Sequence, residues 1–229
     1  VALWQGLRAA RAKLAAGERS ATRVIAAVRG VWERYPLVRE DYIARQLKRG
    51  YGQFQASDSQ VDGGLGLPEV DRIHDRLAAA IPPQQGSAIV HGDYRLDNCM
   101  LADDGSVKAV LDWEICTLGD PLADLGLLWV YWSDPDQAAV LPQASPTALE
   151  GFPRKAELIE RYAAGSQRDL SQLNYYIAFG YWKLTCIIAG VYARSLPVAL
   201  AVVARVAGVA EAVAVGVGLV GVGDERAHV

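Results

Sequence analysis

A short hairpin pattern in the middle of the chain constrains the fold more than any other stretch of the sequence. The apolar segments 99–101 and 107–111 flank Asp104-Gly105, a preferred dipeptide for a two-residue hairpin turn in which both central residues need a positive φ. This turn predicts that the numbers of paired residues sum to 209, which places Asn98 opposite Leu111. The pattern therefore predicts a β-hairpin with polar side chains gathered at its open end.

Three of these polar side chains have the chemistry of a metal and proton-transfer site. Asn98 is predicted to lie beside Asp112, which follows the second strand of the hairpin. An amide oxygen and a carboxylate are hard ligands that suit Mg²⁺, which also takes phosphate and water oxygens. Asp93 lies in the loop that enters the hairpin, where a carboxylate can orient a hydroxyl and accept its proton. The arrangement predicts phosphoryl transfer.

The spacing of these residues can be written as His91-x-Asp93-x-x-x-x-Asn98, followed by a later Asp. Protein kinases carry the same spacing in the catalytic loop H-R-D-x-x-x-x-N, which precedes a metal-binding Asp. Here Gly92 stands in the Arg position, and 112–114 reads Asp-Trp-Glu where protein kinases have D-F-G. These changes argue against a protein kinase of the eukaryotic type and favour its small-molecule relatives. The template favours a loop-shaping role for His91 over an acid or base.

Two further acids follow the hairpin. Asp120 precedes Pro121, and a capping carboxylate followed by proline is typical of a helix start, so we predict a structural role for Asp120. Asp124 would lie in the first turn of that helix, where the helix dipole favours a negative charge. The alternative for Asp124 is that it braces the catalytic loop.

The surrounding sequence is mainly helical in its periodicity. Apolar residues recur at helical spacing over 38–57 and 68–81, and shorter patterns predict helices over 155–164 and from Asp169, as a cap, to about Arg194. In the second helix, Pro68 can occupy the first position and Pro82-Pro83 end it. The fold class predicted is α+β, mainly helical. The expected core stripe of the second helix is Val70, Ile73, Leu77 and Ile81.

Both ends of the 229-residue chain differ in composition from the middle, which predicts three segments. Residues 1–37 are a basic, Ala- and Arg-rich segment, 38–194 carry the motifs, and 195–229 are rich in Val, Ala and Gly. Val206–Gly223 is long enough to raise the question of a membrane span, but Glu211 interrupts it, and a central acid is costly in a bilayer. We expect no membrane span and instead a poorly specified tail.

The charge argues against a nucleic-acid-binding protein, and the cysteines argue against a disulfide-rich or zinc-binding one. The net charge is −3, so no overall basic field exists for binding nucleic acid, and we expect no nucleic-acid partner. Three widely spaced cysteines form no C-x-x-C pair. A disulfide framework or zinc site is therefore not expected, and a cytoplasmic location is the default.

Four stretches carry a family resemblance. The sequences HGDYRLDN (91–98) and LDWEICTLGDPLADLG (111–126) resemble the aminoglycoside phosphotransferase family, whose fold is protein-kinase-like. The stretches YIARQLKRGYGQF (42–54) and YYIAFGYWKL (175–184) are similar to the same family. The branch that they resemble most is related to the kinase-like domain of acyl-CoA dehydrogenase-linked proteins. The resemblance covers about residues 38–194.

The resemblance implies a fold and a role for each motif residue. It implies the C-terminal lobe of a protein-kinase-like fold, with Asp93 as the catalytic base. Asn98 and Asp112 would hold Mg²⁺ on the phosphates of ATP, His91 would shape the loop, and Asp124 would support it. The acceptor would be a hydroxyl-bearing small molecule, and the dehydrogenase-linked branch is associated with hydroxylated acyl substrates.

One departure from the family leaves three functional alternatives open. The catalytic loop comes at His91, too early for the usual N-terminal lobe, and Gly63-Gly64-Leu65-Gly66 is predicted to be a turn rather than a nucleotide-covering loop. No lysine stands out as a phosphate ligand. We therefore expect impaired kinase activity from a truncated or frame-disturbed product, and self-association through the exposed lobe. The alternatives are a non-catalytic binding fragment or pseudokinase, and a metal-dependent phosphohydrolase.

Overall fold

The computed structural model describes residues 41–136, 145–195 and 199–216. Within these ranges the protein is mainly helical with a β-hairpin, as the sequence predicts, and it has a second small antiparallel sheet that was not predicted. The chain divides into the units Val1–Arg39 and Glu40–Val229, and the described residues belong to the second. The helices are α1 (Tyr42–Asp58), α2 (Pro68–Ala79), α3 (Leu122–Tyr131), α4 (Lys155–Gly165), α5 (Leu173–Ser195) and α6 (Ala199–Gly216), and the strands are β1 (Ala88–Val90), β2 (Cys99–Leu101), β3 (Val107–Val110) and β4 (Thr117–Gly119).

Helix α1 buries the face that its periodicity predicts. Ile43, Leu47 and Phe54 are buried in the core, and Tyr51 is partly buried against it. Their spacings of three and four residues place them on one side of a helix, where apolar surface leaves water. The predicted beginning of this helix at residue 38 lies outside the described residues.

Helix α2 begins at Pro68 as predicted but is shorter than the predicted stripe. Val70, Ile73 and Leu77 are fully buried, whereas Ile81 is 38% exposed and follows the end of the helix. The prediction for Ile81 is therefore wrong. The physical reason is Pro82, since proline disfavours helical backbone in the residue before it.

Helix α5 is the centre of the core. Tyr175, Tyr176 and Trp182 are fully buried, and two of these side chains also reach polar partners on α2. The Tyr175 hydroxyl donates to the Leu77 carbonyl (2.9 Å), and the Trp182 indole N–H donates to the Val70 carbonyl (3.1 Å). The aromatic residues are core residues, because burying a large ring with its polar atom paired stabilises a fold efficiently.

The predicted cap of this helix is displaced. Asp169 accepts hydrogen bonds from the backbone N–H and the hydroxyl of Ser171 (2.8 Å each), but α5 begins only at Leu173. Asp169 therefore orders the turn that precedes the helix and not the helix itself. Carboxylates commonly bond the backbone two residues ahead in this way, which competes with helix capping.

The hairpin of β2 and β3 has the predicted register near the site and a different turn. Cys99 pairs with Val110 and Met100 with Ala109, so the residue numbers sum to 209, but Leu101 pairs with Val107. Only Gly105 of the turn has a positive φ (80°), and its N–H donates to the Ala102 carbonyl (2.9 Å). The loop thus has three residues, with the glycine forming a bulge, instead of the two predicted. A register shift between Met100 and Leu101 then restores the predicted pairing before it reaches Asn98.

Helix α6 lies where we expected a poorly specified tail. Ala199–Gly216 forms a helix, and Val206, Ala210 and Ala214, spaced by four, are buried in the core. Glu211, which interrupts the apolar stretch, pairs with Arg72 of α2 (3.1 Å). The expectation was wrong for this part of the segment because small apolar residues at helical spacing pack closely against neighbouring helices. Residues 217–229, and the predicted boundary after residue 37, lie outside the described residues.

The described residues also bear on the membrane question. None of the helices in ranges 41–136, 145–195 and 199–216 is both long and apolar enough to cross a bilayer.

Helices α3 and α5 approach each other through glycine, which leads to a stability prediction. A Cβ on Gly126 would collide with the Tyr176 backbone carbonyl and lie 2.8 Å from the Tyr176 Cβ. We expect Gly126→Ala to lower the free energy of unfolding by about 1–3 kcal/mol, the usual cost of overpacking. Chemical denaturation checks this value.

A matched glycine serves as the control. Gly208 is exposed in the interior of α6, and a Cβ there would meet nothing within 4 Å. Gly208→Ala is expected to raise stability by about 0.5–1 kcal/mol, because alanine favours the helix. Equal effects of the two substitutions would contradict a close approach of α3 and α5 at Gly126.

Candidate active site

The predicted catalytic loop follows β1 and is anchored by the first turn of α3. Asp124 accepts hydrogen bonds from two consecutive backbone N–H groups, that of His91 at Oδ2 (2.6 Å) and that of Gly92 at Oδ1 (2.8 Å). Hydrogen bonds to an ionised acceptor are among the strongest in proteins. Of the two roles predicted for Asp124, a helix-start acid or a brace for the loop, the geometry matches the brace.

His91 connects the loop to the hairpin. It is 1% exposed, its Nε2 lies 2.7 Å from the Leu111 carbonyl oxygen, and its Nδ1 accepts the Asp93 N–H (3.3 Å). Since Nδ1 accepts, Nε2 carries the proton and donates to Leu111. Both ring nitrogens are thus engaged inside the protein, which supports the loop-shaping role predicted from the sequence.

Asn98 is directly joined to the predicted base. Its side-chain N–H₂ donates to the Asp93 carbonyl (2.7 Å) and to Asp93 Oδ2 (3.1 Å). The Leu111 N–H donates to the Asn98 carbonyl (2.7 Å), which confirms that these two residues lie opposite each other. Asp112 follows Leu111 at the open end of the hairpin, exposed and with a φ of 60°. The structure thus bonds Asp93 to Asn98, and it places Asp112 beside the Asn98–Leu111 pair.

The donor set at this end of the hairpin fits Mg²⁺. The two hydrogen bonds to Asp93 use the amide nitrogen of Asn98 and not its oxygen Oδ1, the atom that can bind a cation, and Asp112 offers an exposed carboxylate. Mg²⁺ takes one or two protein oxygens and completes its shell with phosphates and water. Within the described ranges no group of three His, Cys, Asp or Glu side chains could hold a metal. A Mg²⁺ ion here would therefore depend on oxygens from a bound phosphate.

Two residues that the sequence analysis did not select surround Asp93. The Nε of Arg95 lies 3.5 Å from Asp93 Oδ2, and its guanidinium lies over the ring of Tyr131 (5.2 Å). Burial and then the charge of Asp93 raise the pKa of Tyr131 to about 12, and a hydrogen bond with Asp93 contributes. Tyr131 therefore stays protonated. Arg95 lies two positions after Asp93, so its closeness in sequence could have identified it. Tyr131 comes from α3, and no feature of the sequence pointed to it.

Lys183 of α5 is the third residue that the sequence analysis missed. Its ammonium donates to the Gly92 carbonyl (2.6 Å), in the loop just before Asp93. Burial lowers the pKa of Lys183, and the nearby carboxylates of Asp124 and Asp93 oppose that change. The only signal was its place within a stretch, 175–184, that carries the family resemblance.

Asp120 has the structural position predicted from the sequence. It is 1% exposed, and its Oδ1 accepts the N–H of Leu122 at the start of α3 (3.1 Å). Its Oδ2 accepts the hydroxyl of Tyr176 (2.8 Å), which ties α3 to α5. Asp120 is thus a helix cap and an interhelical link, one turn away from the anchor Asp124.

The burial of Asp120 predicts a pH dependence of stability. Burial raises the pKa of Asp120, although hydrogen bonds from Tyr176 and Leu122 oppose the change. A carboxyl with a raised folded-state pKa binds protons more tightly when folded, so its contribution is present below the unfolded-state pKa, about 3.9, and is lost as pH rises through the folded-state pKa. We expect wild type to lose stability relative to Asp120→Asn over that window.

Urea denaturation at a series of pH values above about 3.9 checks this expectation. Asp103→Asn is the control, because Asp103 is exposed in the hairpin turn. A stability difference between wild type and Asp120→Asn that does not change with pH would contradict the prediction.

The glycine-rich segment is a turn, as predicted. Gly63, Gly64 and Gly66 all have positive φ values, and the Gly64 N–H donates to the Val61 carbonyl (2.9 Å). The segment joins α1 to α2, and the Leu65 N–H donates to Asp58 at the end of α1 (2.6 Å). It belongs to the helical connection and not to the hairpin site.

A helical lobe with this loop and hairpin, in which Asp93 precedes Asn98 and Asp112, is typical of a kinase-like phosphotransferase. The chain belongs to the phosphotransferase enzyme family known as APH, whose family model matches residues 8–171. The predicted family is therefore confirmed, and three of the four stretches lie within the matched residues, whereas 175–184 lies beyond them.

The chain is also similar to proteins named as acyl-CoA dehydrogenase family members. The chain is 35% identical over 162 residues to acyl-CoA dehydrogenase family member 11 of Gallus gallus, a match that covers 68% of this chain and 20% of the relative. It is 32% identical over 160 residues to family member 10 of Mus musculus, covering 68% of this chain and 14% of the relative. The chain thus spans a fifth or less of these proteins.

A solved structure supports the fold. A candidate aminoglycoside phosphotransferase from Ralstonia eutropha JMP134 superposes with a TM-score of 0.61 and 30% sequence identity. The match covers 77% of this chain and 56% of that one. The predicted fold class, a mainly helical α+β lobe of the kinase-like type, is confirmed.

Proposed function

We propose that this chain transfers the γ-phosphoryl group of ATP to a hydroxyl of a small molecule, with Mg²⁺ as the metal. The observation that carries the proposal is the joining of Asp93 to Asn98 by two hydrogen bonds (2.7 and 3.1 Å) at the end of the hairpin that leads to Asp112. One carboxylate, one amide and a second carboxylate thus follow each other in the order found in the protein-kinase catalytic site.

Each residue has a defined task in this proposal. Asp93, partly exposed, orients the acceptor hydroxyl and accepts its proton. Asn98 and Asp112 would hold Mg²⁺, which when bound neutralises the charge on the ATP phosphates. Asp124 and His91 hold the loop in place, so that Asp93 meets the acceptor at a fixed position. Positioning contributes much of the rate in this class of reaction.

The acceptor class is proposed from chemistry and from the relatives. The partly exposed Asp93 carboxylate can accept the proton of a hydroxyl that reaches it, so the described residues define the reacting group and not the rest of the acceptor. The relatives are named as members of the acyl-CoA dehydrogenase family, which supports a hydroxylated acyl compound as the acceptor.

The free thiols of Cys99, Cys116 and Cys186 support a reducing, cytoplasmic location.

Calorimetry of Mg²⁺-ATP binding tests the site directly. Binding by the wild-type chain that is lost in Asp112→Ala would support the proposal, because Asp112 would supply a metal ligand. Asp103→Ala is the matched control, since Asp103 is an exposed acid at the opposite end of the same hairpin. Equal binding by both variants, or no binding by wild type, would contradict the proposal.

A second assay separates the reaction classes. Radiolabelled γ-phosphate is followed in the presence of a panel of hydroxyl compounds, including hydroxylated acyl thioesters. Transfer to an acceptor supports a kinase. Release of inorganic phosphate at the same rate with and without acceptors would instead indicate the phosphohydrolase alternative.

A further inference from the structure

The carbonyl of Gly92 receives a hydrogen bond from a side chain that is remote in sequence. Lys183 of α5 donates from Nζ to this oxygen at 2.6 Å. Gly92 is buried and has a φ of 86°, a conformation that glycine adopts readily and other residues rarely. The lysine therefore contacts a backbone position with a special conformation, immediately before the proposed base.

The peptide group between Gly92 and Asp93 is held at both of its polar atoms. Lys183 binds its carbonyl oxygen (2.6 Å), and Nδ1 of His91 accepts its N–H (3.3 Å). The preceding peptide group is held by Asp124, which accepts the Gly92 N–H (2.8 Å). Because the orientation of a peptide plane determines where the next side chain points, these contacts set the direction of the Asp93 carboxylate.

Two carboxylates near Lys183 partly offset the effect of burial on its ammonium group. Lys183 lies near two carboxylates, Asp124 and Asp93, whose charges oppose the lowering of its pKa by burial. A charged donor in a water-poor site makes a stronger hydrogen bond than a neutral one. The positive charge also offsets the negative charge of the buried loop anchor, Asp124.

We propose that Lys183 is a positioning residue for Asp93, acting through the Gly92 carbonyl to hold the loop in the arrangement used for proton acceptance. The inference rests on the proposed function, in which Asp93 is the base. It assigns a role in the site to helix α5, more than 80 residues further along the chain than the loop. Lys183 does not bind nucleotide in this proposal.

Hydrogen–deuterium exchange tests the positioning role without requiring any turnover. In Lys183→Met, which keeps an unbranched side chain but removes the donor, we expect the backbone amides of the segment 91–93 to exchange about tenfold faster. Exchange in the core helix α2 should stay unchanged. Lys108→Met is the control, since Lys108 is exposed on β3 and its loss should leave both segments as in wild type.

The outcomes separate positioning from a general structural role. Loop exchange equal to wild type in Lys183→Met would overturn the proposal. Faster exchange in both the loop and α2 would also overturn it, because the lysine would then stabilise the whole fold. If Lys183→Met does not fold, Lys183→Arg carries the test, since it keeps a cationic donor. In Lys183→Arg, loop exchange near that of wild type would support the proposal, and faster exchange in the loop alone would contradict it.

Kinetics provide a second readout where transfer is measurable. We expect kcat of Lys183→Met to fall about 100-fold, the effect of a displaced catalytic group, with KM for Mg²⁺-ATP unchanged. A higher KM with normal kcat would indicate a nucleotide contact and would overturn the positioning role. A wild-type chain that shows no transfer would contradict the proposed function, and the exchange experiment would still decide whether Lys183 orders the loop.

Discussion

Asp93→Asn is expected to lower kcat for phosphoryl transfer by about 10²–10⁴-fold, the usual contribution of a general base. The physical reason is that the amide keeps the size of the carboxylate but cannot accept the hydroxyl proton. Asp93 is the acid that hydrogen-bonds Asn98 (3.1 Å) and faces Arg95 (3.5 Å), so its place in the site is defined. Binding of Mg²⁺-ATP should change little, because Asp93 is not one of the proposed metal ligands.

Asp97→Asn is the matched control for this prediction. Asp97 lies four residues further along the same loop and is 68% exposed. Both substitutions remove one negative charge from the loop, so a general electrostatic effect on nucleotide binding would appear in both. Steady-state kinetics with a fixed acceptor give kcat and KM for each variant. A similar loss of kcat in Asp97→Asn, or normal kcat in Asp93→Asn, would contradict the role of Asp93.

Asp124→Ala is expected to have the largest combined effect on stability and activity. It would leave the buried N–H groups of His91 and Gly92 without their acceptor, and each unpaired buried donor costs about 1–3 kcal/mol. We expect the free energy of unfolding to fall by about 2–4 kcal/mol. The loop would also lose its anchor, and kcat should fall about 100-fold or more as Asp93 moves from its position.

Glu157→Ala controls for the location of Asp124 at a helix start. Glu157 lies in the first turn of α4, is exposed, and accepts the Arg154 N–H (3.1 Å). Its interaction with the helix dipole is of the same kind as that of Asp124, so its removal should cost only about 0.5–1 kcal/mol and leave kcat unchanged. Denaturation curves and kinetics check both values. Equal losses of stability in the two variants would show that Asp124 is only a helix-start acid.

The hairpin illustrates what local sequence can predict. Turn chemistry and apolar periodicity act over a few residues, so the pairing of Cys99 with Val110 and the position of Asn98 opposite Leu111 followed from the pattern. The loop length did not follow, because two-residue and three-residue turns accept the same dipeptide, Asp104-Gly105. The register shift between Met100 and Leu101, which restores the predicted pairing, is visible only once both strands are paired.

Among the residues around Asp93, only those close to it in sequence were predicted. His91 and Asn98 lie within a few positions of Asp93, and the motif spacing selected both. Tyr131 and Lys183 come from helices α3 and α5, whose packing brings them to the loop. The immediate sequence of Tyr131 does not distinguish it from other residues of an apolar helix, and that of Lys183 does not show which group the lysine contacts, because both contacts depend on how the helices pack.

Helix α6 is a further case in which packing decided the structure. Its Val, Ala and Gly composition suggested a poorly specified segment, since small residues bury little surface each. In the structure, Val206 and Ala210 are fully buried, and Glu211 bonds Arg72 on α2. A neighbouring surface of the right shape was needed for such residues to pack, and only the folded chain supplies it.

The sequence by itself determined the class of fold, the hairpin and the motif residues Asp93, Asn98 and Asp112, because each follows from interactions between residues near each other in the chain. The tertiary structure alone decided how the loop is held, with Asp124 and Lys183 bonding the two polar sides of Gly92. These contacts join residues 32 and 91 positions apart. They form only when helix packing brings distant segments together, so the sequence left loop bracing by Asp124 as one of two alternatives and did not indicate the contact of Lys183.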